Sequence, residues 1–281
     1  MRETIELRLG NDTAQRILAD DVGVRTGPNG FIRRLELSPA DPLMAQLSAE
    51  EAEARAQGRT IFTYWNIRRT YTPAELARAE LIQLLLSIMF EPAGEECGTL
   101  YDYSGACRAC GAGRVQISEL ILDINTIPKR ADVAFTIARD ELVFSERLAN
   151  LVKEEGLSGV TLRPVRHDGR KPPDSAWFQP VFTSSPVVAV GPTKYGDGPT
   201  GPFEKSACPP GHVMGNGVVS ELYIERRSWD GSDFVRTRDL VGVRRGLAAP
   251  YPLLLVSQRC WRLLNERKLK GFAPEVVHLS R

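Results

Sequence analysis

No stretch of this chain is long and apolar enough to cross a membrane as a helix, which takes about 20 apolar residues. The most apolar run, LIQLLLSIMF at Leu81–Phe90, is far shorter. The opening residues, MRETIELRLG, lack the apolar stretch and small-residue cleavage site of a secretory leader. Both absences lead us to expect a soluble, cytoplasmic protein with no membrane partner. Charge of one sign is also missing: 36 Lys and Arg stand against 35 Asp and Glu, a net of +1. No global field draws in nucleic acid. The basic clusters Arg68–Arg69, Arg226–Arg227 and Arg244–Arg245 are pairs, read as solvated faces. Histidine is scarce, at three residues. There is no H-E-x-x-H, G-x-S-x-G or P-loop.

What is present is an ordinary globular composition, 42% hydrophobic and 25% charged over 281 residues, enough to bury a real core. Residues 1–92 form a first region of α+β character. TIELRLG and FIRRLELS partly alternate and predict strands, with Asn29–Gly30 as a turn before the second. SAEEAEARAQG predicts a short helix capped by Ser48. TIFTYWNIRRTY is β-branched and aromatic, as strands are. TPAELARAELIQLLLSIMF predicts a helix: Thr72 as N-cap, Pro73 at its first position, Glu75 closing a capping box. Leu76, Ala79, Leu84 and Ile88 share one face of it, and it should end near Phe90.

Five cysteines in a reducing compartment are better read as metal ligands or core residues than as disulfides. ACRACGAG holds a C-x-x-C at Cys107 and Cys110; ACPPGHV holds Cys208 and His212. Around these pairs the sequence repeats. Ser118-Glu119-Leu120 follows Cys110 at the distance at which Ser220-Glu221-Leu222 follows His212, the two copies being 102 residues apart. Further on, Leu142–Val165 parallels Leu254–Val277, matching Ser145 with Ser257, Arg147 with Arg259, Leu151 with Leu263, Leu157 with Leu269 and Gly159 with Gly271. The offset there is 112, so the second copy holds an insertion, which RRSWDGSDFVRTRDLVG can accommodate. Each copy reads as a Cys-bearing turn, a strand, a short strand, a Ser-capped helix and a closing strand. The helices should run from about Glu146 to Glu155 and from Gln258 to Arg267. Gly156 can end the first in the left-handed conformation, where the second has Lys268.

The expected fold is therefore α+β: an N-terminal α+β region at 1–92, then a domain at 93–281 of duplicated strand–helix–strand units, about 104–167 and 205–279. The units are joined by a split zinc-knuckle site. Cys107, Cys110, Cys208 and His212 make a Cys3His set for one tetrahedral, structural zinc. The 97 residues between Cys110 and Cys208 exceed the roughly 15–20 of an ordinary zinc ribbon, and the duplication accounts for the distance. Cys97 is an alternative ligand. Redox use of the C-x-x-C would want a helix start after Cys107, which CGAGRVQIS does not offer. Cys260 reads as core, and His167 and His278 as satisfied or surface residues. Three thiolates close a site against substrate, so an enzyme is the lesser expectation. Glu119 and Glu221, at matching positions, should share a structural hydrogen-bonding role rather than act as bases.

The paired knuckles with C-x-x-C-G, followed by V-S-x-R-…-L-…-G-L-x-G, resemble the double-CXXCG family of myxobacterial proteins. They are more distantly similar to immunity proteins found beside bacterial polymorphic toxins. The resemblance spans about residues 95–281 and rests on Cys107, Cys110, Gly111, Cys208, Gly211, Ser145 and Ser257. It departs at His212, where a second C-x-x-C would have Cys. It implies a non-enzymatic protein that binds a protein partner such as a toxin. A zinc-dependent hydrolase and a nucleic-acid-binding zinc module are the alternatives. The Gly- and Pro-rich loops Gly191–Phe203 and Arg166–Ser175 are candidate recognition surfaces.

Overall fold

The computed structural model describes residues 1–201, 203, 207–209, 217–242 and 244–280. Its first sheet is antiparallel and comes from the alternating segments read above: β1 Arg2–Gly10, β2 Val24–Thr26, β3 Ile32–Leu37 and β4 Phe62–Thr70, in the order β2-β3-β1-β4. Ile5, Leu7 and Leu9 turn one face of β1 inward. Helices α1 Asn11–Ile17 and α2 Pro42–Ala56 supply Ala14, Met44 and Leu47 to the same core. α2 begins earlier than expected: Asp41 accepts from Leu43 N at 3.0 Å and Pro42 takes the first helical position. Ser48 is thus inside the helix, its hydroxyl bonded back to Met44 O.

Helix α3 spans only Pro73–Arg78. The capping box of Thr72 and Glu75 forms as expected, but the helix does not run on to Phe90. Leu81–Leu86 is instead strand β5, followed by β6 at Met89–Phe90. A short apolar run suits a strand covered on both faces as well as it suits a buried helix, and neighbours decide. β5 has hydrogen-bonded neighbours along both edges, and Leu81 is buried in one cluster while Ile82 and Leu84 are buried in another.

The remaining strands follow as β7 Tyr101–Asp102, β8 Val115–Gln116, β9 Ile121–Leu122, β10 Val133–Thr136, β11 Leu142–Ser145, β12 Val160–Pro164, β13 Arg166–His167 and β14 Trp177–Phe182. Then come β15 Tyr195–Gly196, β16 Gly217–Val218, β17 Leu222–Glu225, β18 Phe234–Val241, β19 Tyr251–Ser257 and β20 Phe272–Ser280. Helix α4, Glu146–Glu154, follows β11, and α5, Gln258–Glu266, follows β19. One five-stranded sheet runs β12-β14-β11-β10-β6, the other β17-β20-β5-β19-β18. The chain is therefore a mixed α+β protein, mostly strands, with five α-helices among the described residues. Residues 81–90, which the sequence grouped with the first region, hydrogen-bond into these later sheets.

The two sheets have matching parts. β14 lies antiparallel between β12 and β11, and β5 lies antiparallel between β20 and β19. Each strand precedes, in the chain, the knuckle segment of the opposite sheet's helix. Phe144 and Phe234 meet between the sheets at 5.7 Å, with Ile82, Val256, Leu148, Cys260 and Leu264 around them.

The same hydrogen bonds occur on both sides of this interface. Buried Asp132 accepts from Ser145 Oγ at 2.9 Å and from Lys270 N at 2.8 Å. Buried Asp233 accepts from Ser257 Oγ at 2.6 Å and from Ser158 N at 2.9 Å. The two serines cap α4 and α5. Arg147 donates to the carbonyl of Arg267 at the end of α5, and Arg259 to the carbonyl of Glu155 at the end of α4. A Cβ on Gly159 would lie 2.2 Å from Phe234 O, and one on Gly271 would lie 2.1 Å from Val133 O. Only glycine allows either backbone so close. The chain from Phe234 to Ser257, through the long β18–β19 hairpin, is longer than that from Val133 to Ser145, whereas the 3-10 turn at Arg226–Ser228 resembles the one at Ile124–Thr126.

The N-terminal sheet joins this body through buried Arg69 on β4. Its guanidinium donates to Glu3 at 2.6 Å, to Glu275 on β20 at 3.0 Å and to Val219 O at 2.6 Å. All three bonds are charge-assisted, and those to Glu275 and Val219 O are buried, which gives the contact direction as well as strength.

Both helices end the same way. Leu157 N bonds Val152 O and Leu269 N bonds Leu264 O, each at 3.0 Å, around a residue of positive φ. That residue is Gly156 at φ 59 in one case and Lys268 at φ 51 in the other. A left-handed conformation costs a non-glycine residue about 1 kcal/mol. Lys268→Gly is accordingly expected to raise stability by about 1 kcal/mol in a denaturant melt; an unchanged or lower midpoint would contradict the strain.

Candidate metal centre

The first knuckle is built by backbone turns. Cys107 N donates to Ala112 O at 2.8 Å and Gly111 N to Cys107 O at 2.7 Å, folding the C-x-x-C loop onto itself. Gly111 and Gly113 hold φ of 77 and 87, which the loop's return toward β8 requires. Ala112 N points at Cys110 Sγ, 3.4 Å away, the geometry of an amide that supports a thiolate. No helix follows Cys107, so the thiol activation of a redox C-x-x-C is missing from this loop.

Cys208 arrives from the far side of the sequence. The ligand atoms of Cys107, Cys110 and Cys208 all lie within 4.8 Å of one another. Cys107 Sγ and Cys208 Sγ are 3.7 Å apart, and no disulfide joins any of the cysteines. All three are buried, with Ala112 and Leu240 packed around them. Burial pushes the Cys110 thiol up, to about 11, against the pull of Ala112 N; the neighbouring thiols push the same way. Without a cation Cys110 thus resists ionising. A divalent cation reverses this, because it binds the thiolate form. Zinc–sulfur bonds of about 2.3 Å place tetrahedral ligands about 3.8 Å apart, which the Cys107–Cys208 edge matches. The group can hold a metal ion.

His212 lies outside the described residues. Cys97 is not one of the clustered sulfurs and stands half-buried on a 3-10 turn, Glu95–Cys97. Cys260 faces the core from α5. His167 Nδ1 accepts from Ile124 N at 3.2 Å and its Nε2 lies 2.6 Å from Lys171 O. His278 Nε2 lies 2.9 Å from Glu221 Oε2, and its ring stacks on Tyr223 at 4.6 Å. These two imidazoles have protein partners rather than a place in the thiol cluster.

The expected common role of Glu119 and Glu221 does not hold. Glu221 accepts from the Tyr71 hydroxyl at 2.8 Å and binds His278, whereas Glu119 is exposed, with no side-chain hydrogen bond among the described residues. The matching work falls to the serines before them. Ser118 Oγ accepts from Leu100 N and Ser220 Oγ from Lys194 N, both at 2.8 Å, and each donates to the carbonyl of the following glutamate. Thr99 and Thr193 add a second matched pair, accepting from Ile121 N and Tyr223 N at 2.9 Å. The sequence hid them because their separation, 94 residues, differs from that of the serines.

Compared with family models and with curated proteins, the chain matches none. No helix among the described residues is long and apolar enough to cross a membrane. The thiol cluster itself is open to test. Titrating the metal-free chain with Co2+ should give a thiolate-to-metal charge-transfer band that saturates at one ion per chain, and Cys110→Ser should remove most of it. A flat spectrum would show that the three sulfurs do not act together.

Proposed function

We propose that this chain is a non-enzymatic protein-binding protein made of two copies of one unit, stapled by a structural zinc. The observation that carries the zinc is the 3.7 Å approach of Cys208 to Cys107 within a buried group of three sulfurs drawn from distant segments. On this reading His212, at the spacing that the repeat sets, is the fourth ligand and closes the site to substrate. The matched latches of Asp132 and Asp233 support the duplication. So does the placing of β5 and β14, each the first strand of one unit lent to the sheet of the other. The units then begin near residues 81 and 177, earlier than the knuckles. Zinc lost to a chelator should lower the melting temperature cooperatively, by several degrees or more, and purified protein should carry one zinc per chain that Cys208→Ser loses. Chelation that leaves the melt unmoved would sink the structural role.

The protein partner rests on the resemblance to the double-CXXCG and immunity-type proteins and on one surface. Leu100, Val115 and Ile117, on and beside the β7–β8 hairpin of the first knuckle, are 59%, 57% and 62% exposed. Three aliphatic side chains held in water by a metal-braced hairpin form the apolar centre that an interface needs. The partner of this class is a toxin encoded beside the gene. Mixed with that protein, the chain is expected to form a complex that Ile117→Asp weakens at least tenfold without lowering the melting temperature. No complex, or a complex indifferent to Ile117→Asp, would remove this reading.

A further inference from the structure

A cavity of about 560 Å3 opens where the two five-stranded sheets meet, with the β7–β8 hairpin residues Tyr101 and Arg114 on its rim. That is within the range of about 300–1,000 Å3 typical of small-molecule sites. Its apolar wall continues the inter-sheet core with Leu86 from β5, Phe182 from β14 and Leu254 from β19, and adds Phe135 from β10. Its charge is one-sided. Arg114, Arg139, Arg163 and Arg236 are among the described residues lining it, against one carboxylate, Asp140. Asp140 is already taken by Arg114, whose Nε lies 2.8 Å from Oδ2.

Arg236 is the anomaly. It stands on β18 two residues beyond Phe234, on the same face, at the place where the matching strand β10 carries Phe135. A guanidinium thus enters an interface that its counterpart fills with a ring. It packs over Phe182 at 4.4 Å, and no carboxylate or carbonyl binds its side chain among the described residues. Burial alone moves its pKa, downward, with no anion to oppose it. A half-buried, desolvated cation is costly unless paired, and proteins ordinarily provide the partner. Stacking on one aromatic face leaves the edge N–H groups of the planar fork able to bind a carboxylate two-fold.

We propose that this cavity binds a small organic carboxylate, its anionic end on Arg236 and its apolar body against Phe135, Leu86 and Leu254. Arg139 and Arg163 hold the positive potential at the site. The apolar wall selects an amphipathic acid over a bare inorganic anion. None of the three clustered cysteines lines the cavity.

The test uses the full chain as purified, with its metal, and 4-phenylbutyrate as probe, followed by calorimetry. Saturable binding at one per chain is expected, at least tenfold tighter than 4-phenylbutanamide, which keeps the shape and loses the charge, and tighter still than inorganic phosphate. Arg236→Met should lose at least tenfold in affinity while melting no lower than the parent without ligand, since no carboxylate or carbonyl partner among the described residues is removed and Met keeps an apolar contact with Phe182. Phe135→Trp, which fills the cavity from the opposite wall with Arg236 intact, should block binding too and serves if the first variant fails to fold. Absence of probe binding, equal binding of the amide, or full binding by either folded variant would overturn the proposal.

Discussion

The reciprocal capture of two buried carboxylates holds the larger part of this molecule together. Asp132 binds the cap serine of its own helix and the backbone N–H of Lys270 across the interface; Asp233 does the same with its own serine and Ser158. A buried carboxylate left without donors costs several kcal/mol. Each sheet can therefore bury its aspartate only when the other sheet is docked. The glycine contacts at Gly159 and Gly271 fix how closely they dock, because no side chain fits between those backbones. Strand placement, helix ends and the Phe144–Phe234 contact all follow from that separation.

The same docking makes the thiol cluster and the cavity. Strand β5 lies between β19 and β20, and β14 between β11 and β12, so segments far apart in the chain share each sheet. Cys208 then reaches Cys107 although a long stretch of chain separates them. The three sulfurs, buried with Ala112 and Leu240, are a group that can hold a metal ion. The cavity is the opposite consequence. The sheets carry matching hydrogen bonds at Asp132 and Asp233, and two residues past the Val133 and Phe234 positions one strand carries Phe135 and the other Arg236, which lines the cavity.

Local features were readable where the signal is local. The capping box at Thr72, the serine caps at Ser145 and Ser257 and the left-handed end at Gly156 are set by a few adjacent residues, and they form as read. The helix read over Leu81–Phe90 failed for a physical reason. Its apolar residues satisfy a helical stripe and a doubly covered strand equally, and hydrogen-bonding edges offered by β19 and β20 chose the strand. Ser48 failed as a cap because Asp41 and Pro42, further upstream, give the helix an earlier start.

By itself the sequence determined which cysteines to watch, the α+β character, the Ser-Glu-Leu repeat and the ends of both late helices, because each depends on residue type at short spacing. Only the tertiary structure decided that β5 enters the far sheet, that Asp132 and Asp233 are latches, that Glu221 meets Tyr71 and His278, and that Arg236 faces a cavity. Those are contacts between segments many tens of residues apart, and spacing along a chain holds no record of which faces meet once the sheets have closed.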